Sequence, residues 1–212
     1  MADLQGIAEN LIEGRAPQVA ALVEGALAGE ITPQTILNEG LMVGMDQVGR
    51  RFKANEIYIP EVLIAARAMH AGMDVLRPLL AKSGSPTVGR VVLGTVQGDL
   101  HDIGKNLVGM LLTGAGFEVT DIGVDAPADR FKEAVKEHKP HIVGISALLT
   151  TTMMGMSRTV DVLREAGISE GVKVIVGGAP VTAAYAEEIG ADGYAADAAS
   201  AVDLARQLVG FE

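Results

Sequence analysis

The residues best suited to do chemistry lie in "GTVQGDLHDIGKNLVGMLL", positions 94–112. An apolar run, "VVLGTV", gives way to Gly98, Asp99, His101, Asp102 and Gly104, and a helical pattern follows. A histidine between two aspartates at the mouth of a buried strand has two physical readings. In the first, Asp99 accepts the proton on one ring nitrogen of His101. That sets the tautomer and leaves the other nitrogen as a strong donor to a metal, a usual supporting device for histidine ligands. In the second, Asp99 and His101 only cap the helix beginning near Gly104, an ordinary use of Asp at helix starts. Loop position alone leaves both open.

Other chemistries fit less well. The glycines at 94, 98 and 104 lack the G-x-G-x-x-G spacing of a dinucleotide fingerprint. A phospho-receiver needs an acidic residue at the end of the third strand, where Ser146 stands. Zinc normally takes three or four protein ligands, and His70, His138 and His141 have no ligand spacing to His101. The nucleophile elbow of serine hydrolases is absent. A single histidine can still ligate a metal that brings its other ligands with it, as a macrocycle does.

The elements that must position this cluster fall into two grammars. Residues 1–83 read as a bundle of four helices. Thr32 and Pro33 open one of them in the N-cap and N1 positions, and Pro60 lies near the start of another. Along that last helix Val62, Ala66, Met69, Met73, Leu76 and Leu80 recur at three- and four-residue steps, which makes one apolar face. Met42, Met45, Met69 and Met73 read as core filling. Residues 84–89, within the small and polar "AKSGSPTVG", read as a linker. Residues 90–212 alternate strand and helix. Strands are predicted at 90–96, 117–123, 141–148, 173–179 and 192–198, with helices near 104–115, 127–138, 153–166, 181–189 and 199–209. Such alternation implies an α/β domain with a parallel sheet, and five strands suggest the flavodoxin-like order 2-1-3-4-5. Ligands then bind beyond the carboxyl ends of the strands, where "QGDLHDIG", "SALLTTT" and "GGAPVT" lie.

Composition narrows the partners. A formal charge of −10 over 212 residues argues against a nucleic-acid backbone and against anionic membrane surfaces. With no cysteine there are no disulfides, thiolate zinc sites or protein-ligated iron–sulfur clusters. The N-terminal "MADLQGIAEN" has no apolar signal core, and no stretch approaches the ~20 apolar residues that span a bilayer. A cytoplasmic location is the expectation.

The motifs also resemble a known family. "GDLHDIG" carries D-x-H-x-x-G; with "GISALLTTT" and "VGGAP" in order it is similar to cobalamin-binding domains. "VGRRFKANEIYIPEVLIAARAMHAGMDVLRPLL" resembles the helical cap of methyl-cobalamin proteins. The whole chain looks like the small corrinoid proteins of methyltransferase systems in methanogens and acetogens, and like the two-domain module inside methionine synthase. The resemblance implies cobalamin or a related corrinoid as cofactor, with His101 as lower axial ligand to cobalt and Asp99 as its hydrogen-bond partner. Asp102, Ile103 and Gly104 belong to the same motif. Thr152 would extend the relay. Ser146, Leu148 and Thr150 would line the groove for the nucleotide tail, with Gly177, Gly178 and Ala179 packing closely on it. Phe52, Ile59 and Val62 would cover the methyl-bearing face.

The function so implied is a methyl carrier whose cobalt cycles between Co(I) and methyl-Co(III). One substrate-specific methyltransferase loads it, a second passes the methyl group to tetrahydrofolate or coenzyme M, and a reductive activator rescues oxidised cobalt. Such a carrier is not catalytic on its own. The small subunit of an adenosylcobalamin mutase and a cobalamin-sensing module are the alternatives. The methyl donor is left open among methanol, methylamines, betaines and aryl methyl ethers.

Overall fold

A computed structural model describes residues 3–83, 87–167 and 171–211, the side chains of 81–83 excepted. The chain divides into two compact units, one of Met1–Thr87 with Gly114–Gly116, the other of Val88–Thr113 with Phe117–Glu212. Of the predicted linker, residues 84–86 lie outside the described residues, and Gly89 already belongs to the first strand.

The first unit is helical. It contains α1 (Leu4–Ile12), α2 (Ala16–Ala28), α3 (Pro33–Thr35), a π-helical stretch (Ile36–Met42), α4 (Val43–Lys53) and α5 (Ile59–Ser83). The Asp3 side chain accepts the Gly6 N–H at 2.7 Å, and Thr32 accepts the Thr35 N–H at 3.1 Å, so both helices start on satisfied caps. The predicted third helix is continuous from Pro33 to Lys53, but its middle is wound wider than an α-helix. Ile36, Leu37, Gly40, Leu41 and Met42 are all buried there. Along α5, Val62, Ala66, Met69 and Leu76 are buried as the periodicity requires, while Met73 and Leu80 are half-buried. Met42, Met45 and Met69 are core residues, as their placement on apolar faces implies.

The second unit is a five-stranded parallel sheet in the order β2-β1-β3-β4-β5. The strands are β1 (Gly89–Thr95), β2 (Phe117–Asp121), β3 (Ile142–Ser146), β4 (Lys173–Gly177) and β5 (Gly193–Ala195). The helices are α6 (Ile103–Gly114), α7 (Ala128–His138), α8 (Met154–Glu165), α9 (Ala183–Glu188) and α10 (Ala198–Val209). Val92, Val143, Ile145, Val174 and Val176 pack into one cluster with Phe131 of α7 and Met156, Val160 and Leu163 of α8. Val91, Leu93, Ile142 and Ile175, at the alternate positions, are buried as well. Burial on both faces is why these strands read as nearly unbroken apolar runs. β5 is shorter than predicted. Asp197 is not part of it, because its carboxylate caps α10 by accepting the Ser200 N–H at 2.7 Å.

The carboxyl ends of β1, β3 and β4 are in register, with Thr95 opposite Ser146 and Ser146 opposite Gly177. Beyond them two loops touch. Gly178 has φ +135°, and a Cβ added to it would sit 1.9 Å from the Ala147 carbonyl oxygen. Glycine here allows the chain to approach itself. Gly178→Ala is expected to lower stability by about 3 kcal/mol, since backbone strain and overpacking add. Gly171→Ala, where a Cβ meets open space, should change it by less than about 0.5 kcal/mol. Urea unfolding midpoints check both values.

Candidate functional site

β1 ends in a polar loop because its last residues pass out of the sheet between the ends of β2 and β3. Val96 N–H still bonds to the Ser146 carbonyl (3.0 Å), and the next turn closes from Asp99 N–H to the Val96 carbonyl (3.1 Å). Gly98, at φ +81°, makes the turn. Its N–H donates to Asp125 Oδ1 at 2.7 Å, and Asp125 N–H donates to the Asp99 carbonyl at 3.0 Å. The loop is thereby tied to the segment after β2.

Asp99 is wholly buried, at 0% exposure. Its Oδ1 accepts His101 Nδ1 at 2.7 Å and the His101 backbone N–H at 3.1 Å. Its Oδ2 accepts the Leu148 N–H at 2.8 Å, the Leu149 N–H at 3.3 Å and the Thr152 hydroxyl at 2.7 Å. Burial by itself would push this carboxyl up. The hydrogen bonds from Leu148, Thr152 and His101 outweigh it and hold Asp99 well below the ordinary carboxylate range. Asp99 is therefore an anion and can only accept, so His101 donates to it through Nδ1 and keeps Nε2 for another partner. The His101 side chain is half exposed, so that nitrogen is accessible. Thr152 also lies 2.9 Å from the Leu149 carbonyl. Its single proton serves one acceptor at a time.

The helix-cap reading of Asp99 is set aside by these contacts. Its carboxylate turns to the β3–α8 loop and to the imidazole, and the start of α6 is held by Asp102, whose carbonyl accepts the Asn106 N–H at 2.7 Å. Asp102 Oδ2 also accepts the Asn106 side chain at 3.1 Å. Ile103 is 72% exposed beside it.

The remaining predicted residues divide. Ser146 is half-buried at the end of β3; Leu148 and Thr150 are exposed in the loop that follows. Leu148 contributes its backbone N–H to Asp99, a role no side-chain pattern announces. Gly177 ends β4, and Ala179 is exposed. Gly178 permits a close approach to Ala147 of its own chain. In the helical unit Phe52 is half-buried and Ile59 exposed, with Tyr58, Leu63 and Ile64 exposed nearby in sequence. Val62 needs a correction: it is wholly buried, and a side chain with no exposed surface offers none to a ligand.

The sheet unit also shows surface that motif reading missed, at Leu100 (71% exposed), Leu149 and Met154; with the predicted Ile103 and Leu148 they put apolar side chains in water on the segments that follow β1 and β3. Beside them, a Cβ on Gly104 would meet nothing within 4 Å, so nothing in the chain requires glycine there. Among the described residues no group of three or more His, Asp or Glu could hold a bare metal ion. One accessible imidazole nitrogen, an apolar rim and a bare helix start fit a metal already held in a broad organic ring. A corrinoid meets that description. No described helix is long and apolar enough to cross a membrane.

Comparison with known proteins agrees. Residues 89–203 match the family pattern described as "B12 binding domain", and residues 3–77 match a second pattern with the same description. The chain is 45% identical over 207 residues to a dimethylamine corrinoid protein of Methanosarcina barkeri, covering 97% of each. It is similar to the crystal structure of a cobalamin-binding protein from Desulfitobacterium hafniense, with TM-score 0.80 and 34% identity over 98% of this chain and 99% of that one. It is also similar to a chain of the methanol:cobalamin methyltransferase complex of Methanosarcina barkeri, with TM-score 0.87 and 32% identity over 98% of this chain and 79% of that one.

Two expectations follow from the site. A carboxylate depressed in the fold adds stability that is complete above its unfolded pKa of about 3.9 and is lost as pH falls toward the folded value. Asp99→Asn should therefore cost about 2 kcal/mol at pH 7, the scale of hydrogen bonds to a charged group, with the gap to the parent narrowing below about pH 4. Denaturant titrations across pH measure it; a gap that widens on acidification would contradict the assignment. Gly104→Ala should stabilise the apo-protein by up to about 1 kcal/mol, the helix propensity difference, while weakening corrinoid binding. Calorimetry of the apo-protein and corrinoid titration read the two effects separately.

Proposed function

We propose a working role that proceeds from one premise: the chain belongs to the family of corrinoid proteins built from B12 binding domains. It is a corrinoid protein that carries methyl groups. The proposal concerns how it does so and with whom.

The observation that carries the reading is the His101–Asp99 pair, with Nδ1 bound at 2.7 Å and Nε2 left open. When bound, the corrinoid supplies a cobalt that accepts a methyl group and gives it up again; orientation and exclusion of water are the protein's part. His101 would hold the cobalt through Nε2. Asp99 holds the ring and raises its donor strength, and Thr152 adds a hydroxyl to the same carboxylate. With the corrinoid bound, the His101–Asp99–Thr152 chain of hydrogen bonds would tune how strongly the imidazole donates to the cobalt. Leu100, Ile103, Leu148, Leu149 and Met154 would offer the ring an apolar surface. Ser146 and Thr150 would offer polar contacts to its nucleotide tail. Phe52 and Ile59 would be the side chains that shield the bound methyl group.

The methyl donor is a methylated amine. The supporting observation is that a dimethylamine and a trimethylamine corrinoid protein are 45% and 44% identical to this chain. A methyltransferase specific for that amine loads the carrier, a second methyltransferase unloads it to coenzyme M or tetrahydrofolate, and a reductive activator returns oxidised cobalt to service. The helical unit matched over residues 3–77 favours a methyl carrier over an adenosylcobalamin mutase subunit, for which no cover of the upper face is needed.

The test separates carrier from enzyme. The purified holo-protein, mixed with dimethylamine alone, should transfer no methyl group. Adding the amine's methyltransferase should start transfer, and methylcorrinoid should then form spectrally. His101→Ala should slow that reaction at least about tenfold, in line with the 10–100-fold loss typical when a metal ligand's supporting shell is disturbed. Turnover by the chain alone would overturn the carrier reading. Brisk loading from methanol with a methanol-specific methyltransferase, and none from dimethylamine, would overturn the donor class.

A further inference from the structure

Four polar or charged residues are buried among the described residues: Thr95, Asp99, Lys105 and Thr159. Three have a local explanation. Asp99 serves the imidazole, Lys105 is paired with Asp121 and with Asn106 at 2.8 Å, and Thr159 donates back within its own helix to the Gly155 carbonyl at 2.7 Å. Thr95 has none. It ends an apolar strand at 0% exposure, where valine or isoleucine would pack as well.

Its backbone is already satisfied by the β2 side. Thr95 N–H donates to the Gly123 carbonyl at 3.0 Å, and its carbonyl accepts the Ala126 N–H at 2.9 Å. The hydroxyl is thus not needed to complete the sheet. It reaches out of the strand and donates to the backbone carbonyl of His101 at 2.9 Å. Together with the bond from His101 N–H to Asp99 Oδ1, this pins both polar backbone atoms of the histidine. The Nδ1–Asp99 bond alone would let the residue pivot about the carboxylate. With the carbonyl held as well, the peptides on both sides of the His101 Cα are anchored, which narrows the directions in which Nε2 can point.

We infer that Thr95 is a positioning residue for the axial histidine, its buried hydroxyl setting what share of the bound corrinoid is ligated through His101. This rests on the reading of His101 as the axial ligand. Thr95 has no exposed surface to offer a ligand, so its influence would pass through the His101 backbone. Loss of one neutral hydrogen bond changes an equilibrium by about fivefold. The ratio of histidine-ligated to unligated corrinoid should fall by about that factor.

The experiment uses the full chain with ¹⁵N-labelled histidine, loaded with cob(II)alamin, as parent, Thr95→Val, Thr95→Ala and Thr95→Ser. Electron paramagnetic resonance reads the ¹⁵N coupling, and a pH titration of the same sample reads release of the imidazole. Parent and Thr95→Ser should show full ¹⁵N coupling. Thr95→Val should bind corrinoid with a reduced ¹⁵N-coupled fraction. Protons compete better with a weaker ligand, so its release should move to higher pH by about 0.7, the logarithm of fivefold. Thr95→Ala, which also lacks the hydroxyl and crowds nothing, should give the same result and stands in if the valine variant does not fold. An unchanged coupled fraction and release pH in a folded hydroxyl-free variant would overturn the inference. So would Thr95→Ser behaving like valine, since the methyl group and not the hydroxyl would then be responsible. A parent without ¹⁵N coupling would instead overturn the ligand assignment itself.

Discussion

The site depends on one buried anion. Asp99 has no contact with water, and an isolated carboxylate there would be strongly disfavoured. It is stable only because donors converge on it from two separate loops: His101 after β1, and Leu148, Leu149 and Thr152 after β3. That convergence has a consequence for the ligand. The charge keeps the proton on Nδ1, the loops keep the ring in place, and Nε2 is left free. An imidazole so prepared needs little reorganisation to bind a metal.

The topology explains why two loops so far apart in the chain can meet. β1 and β3 are neighbours at the point where the strand order turns back, so their trailing loops flank one crevice. Thr95 and Ser146 are register partners at the ends of these strands, which brings residue 99 within reach of residues 148–152. Gly178 lets the loop after β4 close against Ala147 from the other side. A change in any of these ends shifts the donors around Asp99, and the position of Nε2 shifts with them. Stability and ligand geometry are coupled here through the same few backbone contacts.

Much of this could be read from the chain. D-x-H-x-x-G stood out because polar residues interrupted an apolar run, and the alternating pattern located the five strands and their order. Thr152 could be placed from resemblance, and it does reach Asp99. Other features were not legible for physical reasons. The π-helical stretch at Ile36–Met42 is a matter of backbone pairing in a packed bundle, and its residues look like any apolar helix. Val62 and Ile59 both lie at the start of α5, yet one is buried and the other exposed; only the helix's rotation against its neighbours decides that. The N–H of Leu148 and the hydroxyl of Thr95 lie inside the quoted motifs, but the partners they act on are set by the meeting of two loops, so the motifs do not announce these roles. Asp197 looked like the tail of a strand and is a helix cap, because one carboxylate at the right N–H outweighs weak strand propensity.

The central claim is that the imidazole of His101, and no other nitrogen, is presented to the metal. It is tested most directly with cob(II)inamide, which lacks a base of its own. Bound to the chain, its electron paramagnetic resonance spectrum should show coupling to a single nitrogen, and the coupling should vanish in His101→Ala while the corrinoid stays bound. A bound cob(II)inamide spectrum with no nitrogen coupling in the parent protein, or one that persists unchanged in His101→Ala, would contradict the account.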